Sequence, residues 1–452
     1  MSSQYQQNWA YRKIHLNANL LKKPNSQNPS ISLFSATALG VGGMMGAGLF
    51  SLLGTAGAHA GTHIPLAFLL GALAASFSVY SYAKLGATFP SSGGAATFTV
   101  MSFGSGVISG GLNIFQYIAY LIAAALYAAG FSEYANTLLG GSLSSLEVKI
   151  VGAVIVIVCA GINLLGTAIV GRAETWAIGF VTIALLLFSA GGIHTANLST
   201  FQTSGGSING IAIATGILYI NYQGFGVVTN SSNAMQKPQK ELPLAMFSAL
   251  LLVTIAYVLV STAAVLLLPP AEMQQFNGHV LANAAELIAG KSGFAIIGAS
   301  ALLACAAALN ATIFAASNIA ADMASKNSIS NMLGDTVLKT QMRALSISAI
   351  IVIALVLVFP LDVVGQMASL AFLLVYAAIT LGHIKVRKQT GAELWPLWIA
   401  IIVNLSLFTT LFINVVQTSP SSALALVAAL IGSFLLEMIS RKYLRKTVSQ
   451  IK

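Results

Sequence analysis

Apolar residues run along this chain in long blocks, and short polar stretches punctuate them. A helix needs about 20 apolar residues to cross the hydrocarbon of a bilayer. Twelve blocks approach or exceed that length, near residues 32–58, 64–84, 95–130, 148–168, 174–193, 208–235, 243–268, 293–323, 343–360, 363–384, 395–416 and 421–440. The third and eighth are long enough to hold a tilted span or a short additional helix.

Two of the blocks are interrupted. "VGGMMGAGLF" (41–50) puts four glycines in the middle of the first, and "YINYQGFGVV" (219–228) puts Asn221, Gln223, Gly224 and Gly226 in the sixth. Irregular backbone at membrane depth is tolerated only where it is buried in protein or lines a cavity. Close packing between helices would account for one glycine cluster. Two clusters five spans apart instead fit a carrier built from inverted repeats, whose discontinuous helices hold a solute near the bilayer midplane.

Composition sharpens this. Of 452 residues, 57% are hydrophobic and only 7% charged, where a soluble chain carries about 25%; the mean hydropathy is +0.84. Cys159 and Cys305 both lie in apolar runs and read as small buried hydrophobes. The first thirty residues are polar and basic with no apolar core, so no cleavable signal peptide is expected. A net charge of +10 would suit a nucleic-acid partner, but its distribution says otherwise. Twelve spans put 19 of the 21 Lys and Arg residues on the side of the termini, leaving Lys149 and Lys291 on the other. The positive-inside rule then places both termini in the cytoplasm of a multi-pass protein of the cell (inner) membrane. The lipid bilayer accounts for the basic excess, and no nucleic acid is expected.

Five stretches, in order, resemble a known family. They are Gly46-Ala47-Gly48-Leu49-Phe50, "YAKLGATFPSSGG" (82–94), "NLLGTAIVGRAE" (163–174), "YQGFG" (222–226) followed by "KPQKELPLAM" (237–246), and "LNATIFAASNIAADMASKNSIS" (309–330). Together the chain is similar, over roughly residues 30–440, to the amino acid–polyamine–organocation permeases. The resemblance implies an all-α membrane protein of twelve transmembrane helices, with a LeuT-like five-plus-five inverted repeat, broken helices 1 and 6, and two extra C-terminal helices. On this chain that means a cytoplasmic tail over 1–30, repeats over 31–195 and 206–385, helices 11 and 12 over 394–440, and a tail over 441–452. It also implies a secondary carrier of amino acids working by alternating access.

The break in the first span frees N–H groups at the start of the outer half-helix, whose dipole is positive at that end. Glycines leave this backbone bare enough for a ligand to approach. In the family a substrate carboxylate sits there, which implies Ala47 and Gly48, with Gly46 and Leu49. The amine would then meet the carbonyls of Met44, Ile220 and Gln223. Candidates for side-chain selectivity are Tyr222 and Phe225 in the sixth span, Asn113, Gln116, Tyr117 and Tyr120 in the third, and Asn310 in the eighth. An aromatic at such a position is as readily a packing residue; an amide in hydrocarbon wants a partner.

The departures from the family pattern matter as well. Some proton-coupled members carry a lysine in mid-helix five, where this chain has Val181. Sodium-coupled relatives use hydroxyls in helix eight, where it has Ala306, Ala307 and Ala308. The helix-two glutamate is Lys84, and Lys84, Glu174 and Asp322 are the charges left near the inner ends of spans two, five and eight, as an inner gate or as side chains snorkelling to the interface. His59 and His63 occupy a short outer loop. No charge falls at the midplane, which favours a neutral amino acid over a cation. There is no metal-ligand cluster, catalytic pairing or Walker loop, so neither an enzyme nor a cofactor is expected. A coupling proton, sodium or plain exchange stays open, as do the oligomeric state, a different solute such as an amine, organic cation or inorganic ion, and a non-transporting sensor.

Overall fold

A computed structural model of the chain describes residues 31–91, 93–163, 167–196, 206–325 and 337–450. Those residues form an all-α structure in which every predicted block contains a helix. The first is split into α1 (Leu33–Met44) and α2 (Ala47–Ala60), bent by 45° at the break. α3 (Ile64–Thr88), α4 (Ala95–Phe103), α5 (Val107–Leu138), α6 (Ser145–Asn163) and α7 (Thr167–Thr195) follow. The sixth block holds α8 (Ile208–Leu218), a 3-10 turn at Tyr219–Tyr222 and the short α9 (Phe225–Thr229). Then come α10 (Pro238–Leu267), α11 (Pro270–Phe276), α12 (Val280–Ser325), α13 (Val337–Val358), α14 (Leu361–Thr390), α15 (Leu394–Thr418) and α16 (Pro420–Gln450). Among the described residues ten helical spans, counting α8–α9 as one, are long and apolar enough to cross a membrane, eleven with the bent pair α1–α2; α13 adds a shorter apolar stretch.

Two blocks resolve differently from their simplest reading. The third is two helices, α4 and α5, separated by Gly104, whose positive φ of 73° ends α4. The eighth begins earlier than its apolar run: α12 starts at Val280 and kinks at Ala289 and Gly290, where Gly290 has a φ of 58°. The segment before the kink mixes Asn283 and Glu286 with apolar residues, so hydropathy alone misses it. Local signals set other ends. Ser32 and Ser207 cap α1 and α8 by accepting from the N–H groups of Ser35 and Gly210. Gly391, left-handed at φ 62°, ends α14.

Burial sorts the helices into a centre and a rim. The apolar window of α5 is 83% buried and that of α14 is 78%, against 22% for α6 and 28% for α15. α5 packs against α12, α14, α16 and α6. The rim helices show Leu, Ile and Val outward, as with Ile150, Val154 and Ile157 of α6. Lipid offers no hydrophobic drive for helices to associate, so close fit must supply the attraction. At the α5–α16 contact Gly110 and Gly111 admit Glu437 and Phe434. Glu437 is fully buried, paired at 2.6 Å with Nε of Arg441, whose other guanidinium nitrogens donate to the carbonyls of Ser105 and Gly106. Cys159 and Cys305 are buried and not disulfide-bonded among the described residues, and Cys159 Sγ donates to Ala306 O.

A Cβ on Gly111 would lie 2.6 Å from the Phe434 ring, whereas one on Gly161 meets nothing. Gly111→Leu therefore lowers the thermal midpoint of purified protein, by the about 1–3 kcal/mol typical of overpacking; Gly161→Leu leaves it unchanged.

Candidate functional site

The first interruption is short. Met45 and Gly46 leave helical geometry, and the turn is closed by Met45 N–H donating to Val41 O and Gly46 N–H to Met44 O, both at 2.7 Å. Gly46 begins α2 without a side chain to cap it. The first N–H groups of a helix have no partner within it, so α2 presents bare amides. The second interruption is milder than its sequence suggests. The chain stays right-handed from Tyr219 through Gly224 and tightens into i→i+3 bonds, Gln223 N–H to Ile220 O, Gly226 N–H to Gln223 O and Val227 N–H to Gly224 O, at 3.1–3.2 Å.

The two interruptions touch backbone to backbone. A Cβ on Gly224 would fall 2.0 Å from the carbonyl carbon of Gly43, and one on Gly43 would fall 3.1 Å from the carbonyl oxygen of Gly224. Gly48 also faces the sixth span closely, since its Cβ would sit 2.1 Å from Asn221 Oδ1. Gly46 lies against Ala308 and Tyr127.

Side chains from neighbouring helices hold the loosened backbone. The Tyr257 hydroxyl of α10 donates to Met44 O, and lies 3.4 Å from Asn221 O, so one phenol bridges the carbonyls of both interruptions. The Tyr376 hydroxyl of α14 donates to Gln223 O at 2.9 Å. Ser369 Oγ, one residue line along the same helix, accepts from Ile220 N–H and donates to Ile217 O. Tyr134 of α5 donates to Phe50 O. None of Tyr134, Tyr257, Ser369 and Tyr376 stands out in the sequence; a buried hydroxyl demands a partner, but its identity requires the fold.

The predicted residues divide by what they contact. Met44, Gly46, Gly48, Leu49, Ile220, Gln223 and Phe225 lie at or beside the crossing, all buried; of Ala47 only the backbone is described. The carbonyls of Met44 and Gln223 already carry tyrosine hydroxyls. Gln116 joins the group from α5 on the face shared by Tyr120 and Tyr127, and Tyr127 OH accepts from Gln223 Nε2 at 3.1 Å. Tyr120 stacks edge-on against Phe372. Phe225 packs in an aromatic cluster with Tyr82 and Tyr376. Four residues are engaged elsewhere. Asn113 binds Ala96 O and Thr99 of α4, and Tyr117 binds Ser348 of α13. Tyr222 donates to Phe68 O of α3 at 2.8 Å, and Asn310 accepts from Asn163 of α6. Asn113 and Tyr117 sit on flanks of α5 turned toward other helices, a rotation that a list of polar residues does not reveal.

Two carbonyl oxygens at the crossing, Asn221 Oδ1 and Gln223 Oε1, are buried with no hydrogen-bond partner, and so is Gln116 Oε1 of α5. The Tyr82 hydroxyl is likewise unpartnered, and Gly226 opens a gap toward Tyr120, Tyr82 and Tyr376. Each buried polar atom without a partner costs about 1–3 kcal/mol, so the site has an appetite for hydrogen-bond donors. The side of α7 facing the break offers Thr182, within reach of Met45 Sδ, and Ile178 against Gly42. Of the gate candidates, Lys84 lies 3.5 Å from Gly391 O and 6.0 Å from the Tyr80 ring. The side chains of Glu174 and Asp322 are outside the described residues.

Gly224 has ordinary helical angles, so its constraint is steric alone. Gly224→Ala forces the two interrupted helices apart and sharply lowers the yield of folded, monodisperse protein. Gly226→Ala, whose Cβ would meet nothing closer than Tyr120 OH at 3.5 Å, is tolerated. Tyr257→Phe strips partners from buried carbonyls and lowers unfolding stability by about 1–3 kcal/mol, read as a shift of the thermal midpoint in detergent.

Comparison with known proteins agrees with this architecture. Residues 31–435 match the amino acid permease family. An uncharacterized protein of Methanocaldococcus jannaschii is 30% identical over 425 residues, 94% of this chain and 98% of that one. The inner membrane transport protein YbaT of Escherichia coli is 28% identical over 428 residues, 94% and 99% of the two chains. The methylthioribose transporter of Bacillus subtilis is 24% identical over 387 residues, 81% and 83%. These relatives place the chain among transporters rather than enzymes, and its family match spans nearly all the described helices: the chain belongs to the amino acid permease family.

Proposed function

We propose that this transporter carries a neutral amino acid across the cell membrane by alternating access. The observation that carries the reading is the pairing of bare amides at the start of α2 with two unpartnered carbonyl oxygens, Asn221 Oδ1 and Gln223 Oε1, at the same crossing. The amides suit a carboxylate and the carbonyl oxygens suit an ammonium. The residues at the crossing carry no formal charge, and a cationic side chain buried there would call for a carboxylate. Residues 31–195 and 206–385 would form the two inverted repeats, with both termini in the cytoplasm.

A second reading has its own support. The Met44 and Gln223 carbonyls, which an amine would need, hold tyrosine hydroxyls, and a relative of 24% identity is a methylthioribose transporter. A hydroxyl-rich solute without an amine would use the amide oxygens and the Tyr82 and Tyr120 hydroxyls instead.

Uptake into proteoliposomes separates the two. Labelled neutral amino acids accumulate, compete with one another and ignore methylthioribose; arginine and lysine do not compete. The panel is run under a pH gradient, a sodium gradient and neither, which identifies the coupling ion. Gly48→Ala pushes the Asn221 side chain from its place, so uptake falls at least tenfold, about 1.4 kcal/mol of lost binding, in protein whose thermal midpoint stays near that of the parent. Unchanged uptake by Gly48→Ala removes the α2 amides from the site, and competition by methylthioribose alone selects the second reading.

A further inference from the structure

Away from the crossing, a cavity of about 260 Å³ opens among the helix ends on the face opposite the termini. The last turns of α5 line it with Ser132, Glu133 and Asn136, the start of α6 with Lys149, and the α13–α14 junction with Phe359 and Leu361. Glu133 is half-buried, packed beneath Gly278 of the turn that precedes α12. Among the described residues neither Glu133 nor Lys149 takes part in an ion pair. Lys149 Nζ donates to Leu357 O at 2.7 Å, which fixes the ammonium at the end of α13. An ammonium has three N–H donors, so two remain. A half-buried carboxylate and a fixed ammonium thus line one small cavity without neutralising each other, and desolvated charges are costly unless paired.

The position narrows the ligand. Helices α6 and α13 pack together and show apolar side chains outward, with Val154 and Ile157 on one and Ile350 and Val358 on the other. The cavity lies where that lipid-facing seam reaches its polar end. We propose that it binds a zwitterion, with the ligand's primary ammonium on Glu133 and its anionic group on Lys149. An aminophospholipid headgroup entering along the seam has this chemistry, and so does a free amino acid from the aqueous side. A quaternary ammonium lacks N–H donors and cannot make the hydrogen bond to Glu133, so it binds more weakly.

The test uses purified full-length protein, stripped of lipid and titrated with phosphatidylethanolamine, phosphatidylcholine or phosphatidylglycerol, with bound lipid counted by native mass spectrometry. Wild type is compared with Glu133→Gln and Lys149→Met, each checked for an unchanged thermal midpoint. The parent prefers phosphatidylethanolamine. Glu133→Gln weakens that lipid about tenfold, as for one lost charge-assisted hydrogen bond, and leaves phosphatidylglycerol unchanged, while Lys149→Met weakens both. A parallel arm measures labelled alanine by equilibrium dialysis: a bound equivalent lost in Glu133→Gln, with lipid binding equal in all three proteins, assigns the cavity to free amino acid. Equal binding of every lipid and of alanine by all three proteins overturns the proposal. No arm depends on transport, so a failure here stands apart from a failure of the amino acid reading.

Discussion

Backbone amides in hydrocarbon must find partners inside the protein, and the architecture of this chain turns on how it meets that demand at two interrupted helices. A continuous helix satisfies itself. Once α1 stops at Met44 and the sixth span tightens after Leu218, carbonyls and N–H groups come loose at a depth where water cannot serve them. The response is a ring of hydroxyls: Tyr257 from α10, Ser369 and Tyr376 from α14, Tyr134 from α5. They also fit the deep burial of α5 and α14, 83% and 78% of whose apolar windows lie inside the protein. Those helices are needed at the centre because they carry the groups that splint the irregular backbone.

The splinting is incomplete in a directional way. The bonds that are made mostly satisfy main-chain carbonyls, whereas the side-chain oxygens of Gln116, Asn221 and Gln223 and the α2 amides are left over. A site that saturated its scaffold and kept its side-chain groups in reserve holds its shape before a solute arrives, and offers that solute contacts it does not need for folding.

Much of this was readable from residue order. The spans follow from apolar run length, and both interruptions follow from Gly42, Gly43, Gly46 and Gly48 and from Gly224 and Gly226. The kink at Gly290 and the earlier start of α12 were not, because the 280–288 segment is only moderately apolar. In the site, the glycine positions were legible because their constraint is local. The facing of side chains was not. Asn113, Tyr117 and Gln116 are neighbours on one helix, yet two of them serve α4 and α13 while the third keeps a buried oxygen without a partner. That depends on how α5 is rotated within the bundle, a property of every helix around it. The partner of Tyr222 was hidden for a similar reason: it is adjacent to the break, but its hydroxyl donates to Phe68 O of α3.

The contact between Gly43 and Gly224 has a mechanical meaning. Side chains yield by changing rotamer, and most helix contacts in a carrier can slide or breathe for that reason. Here there is none to change: main chain bears on main chain. Such a joint transmits displacement without slack, so tilting either interrupted helix carries the other with it about a common fulcrum. The same Tyr257 phenol that reaches both carbonyls sits on the pivot's flank, where rotation would shorten one of its contacts as it lengthens the other.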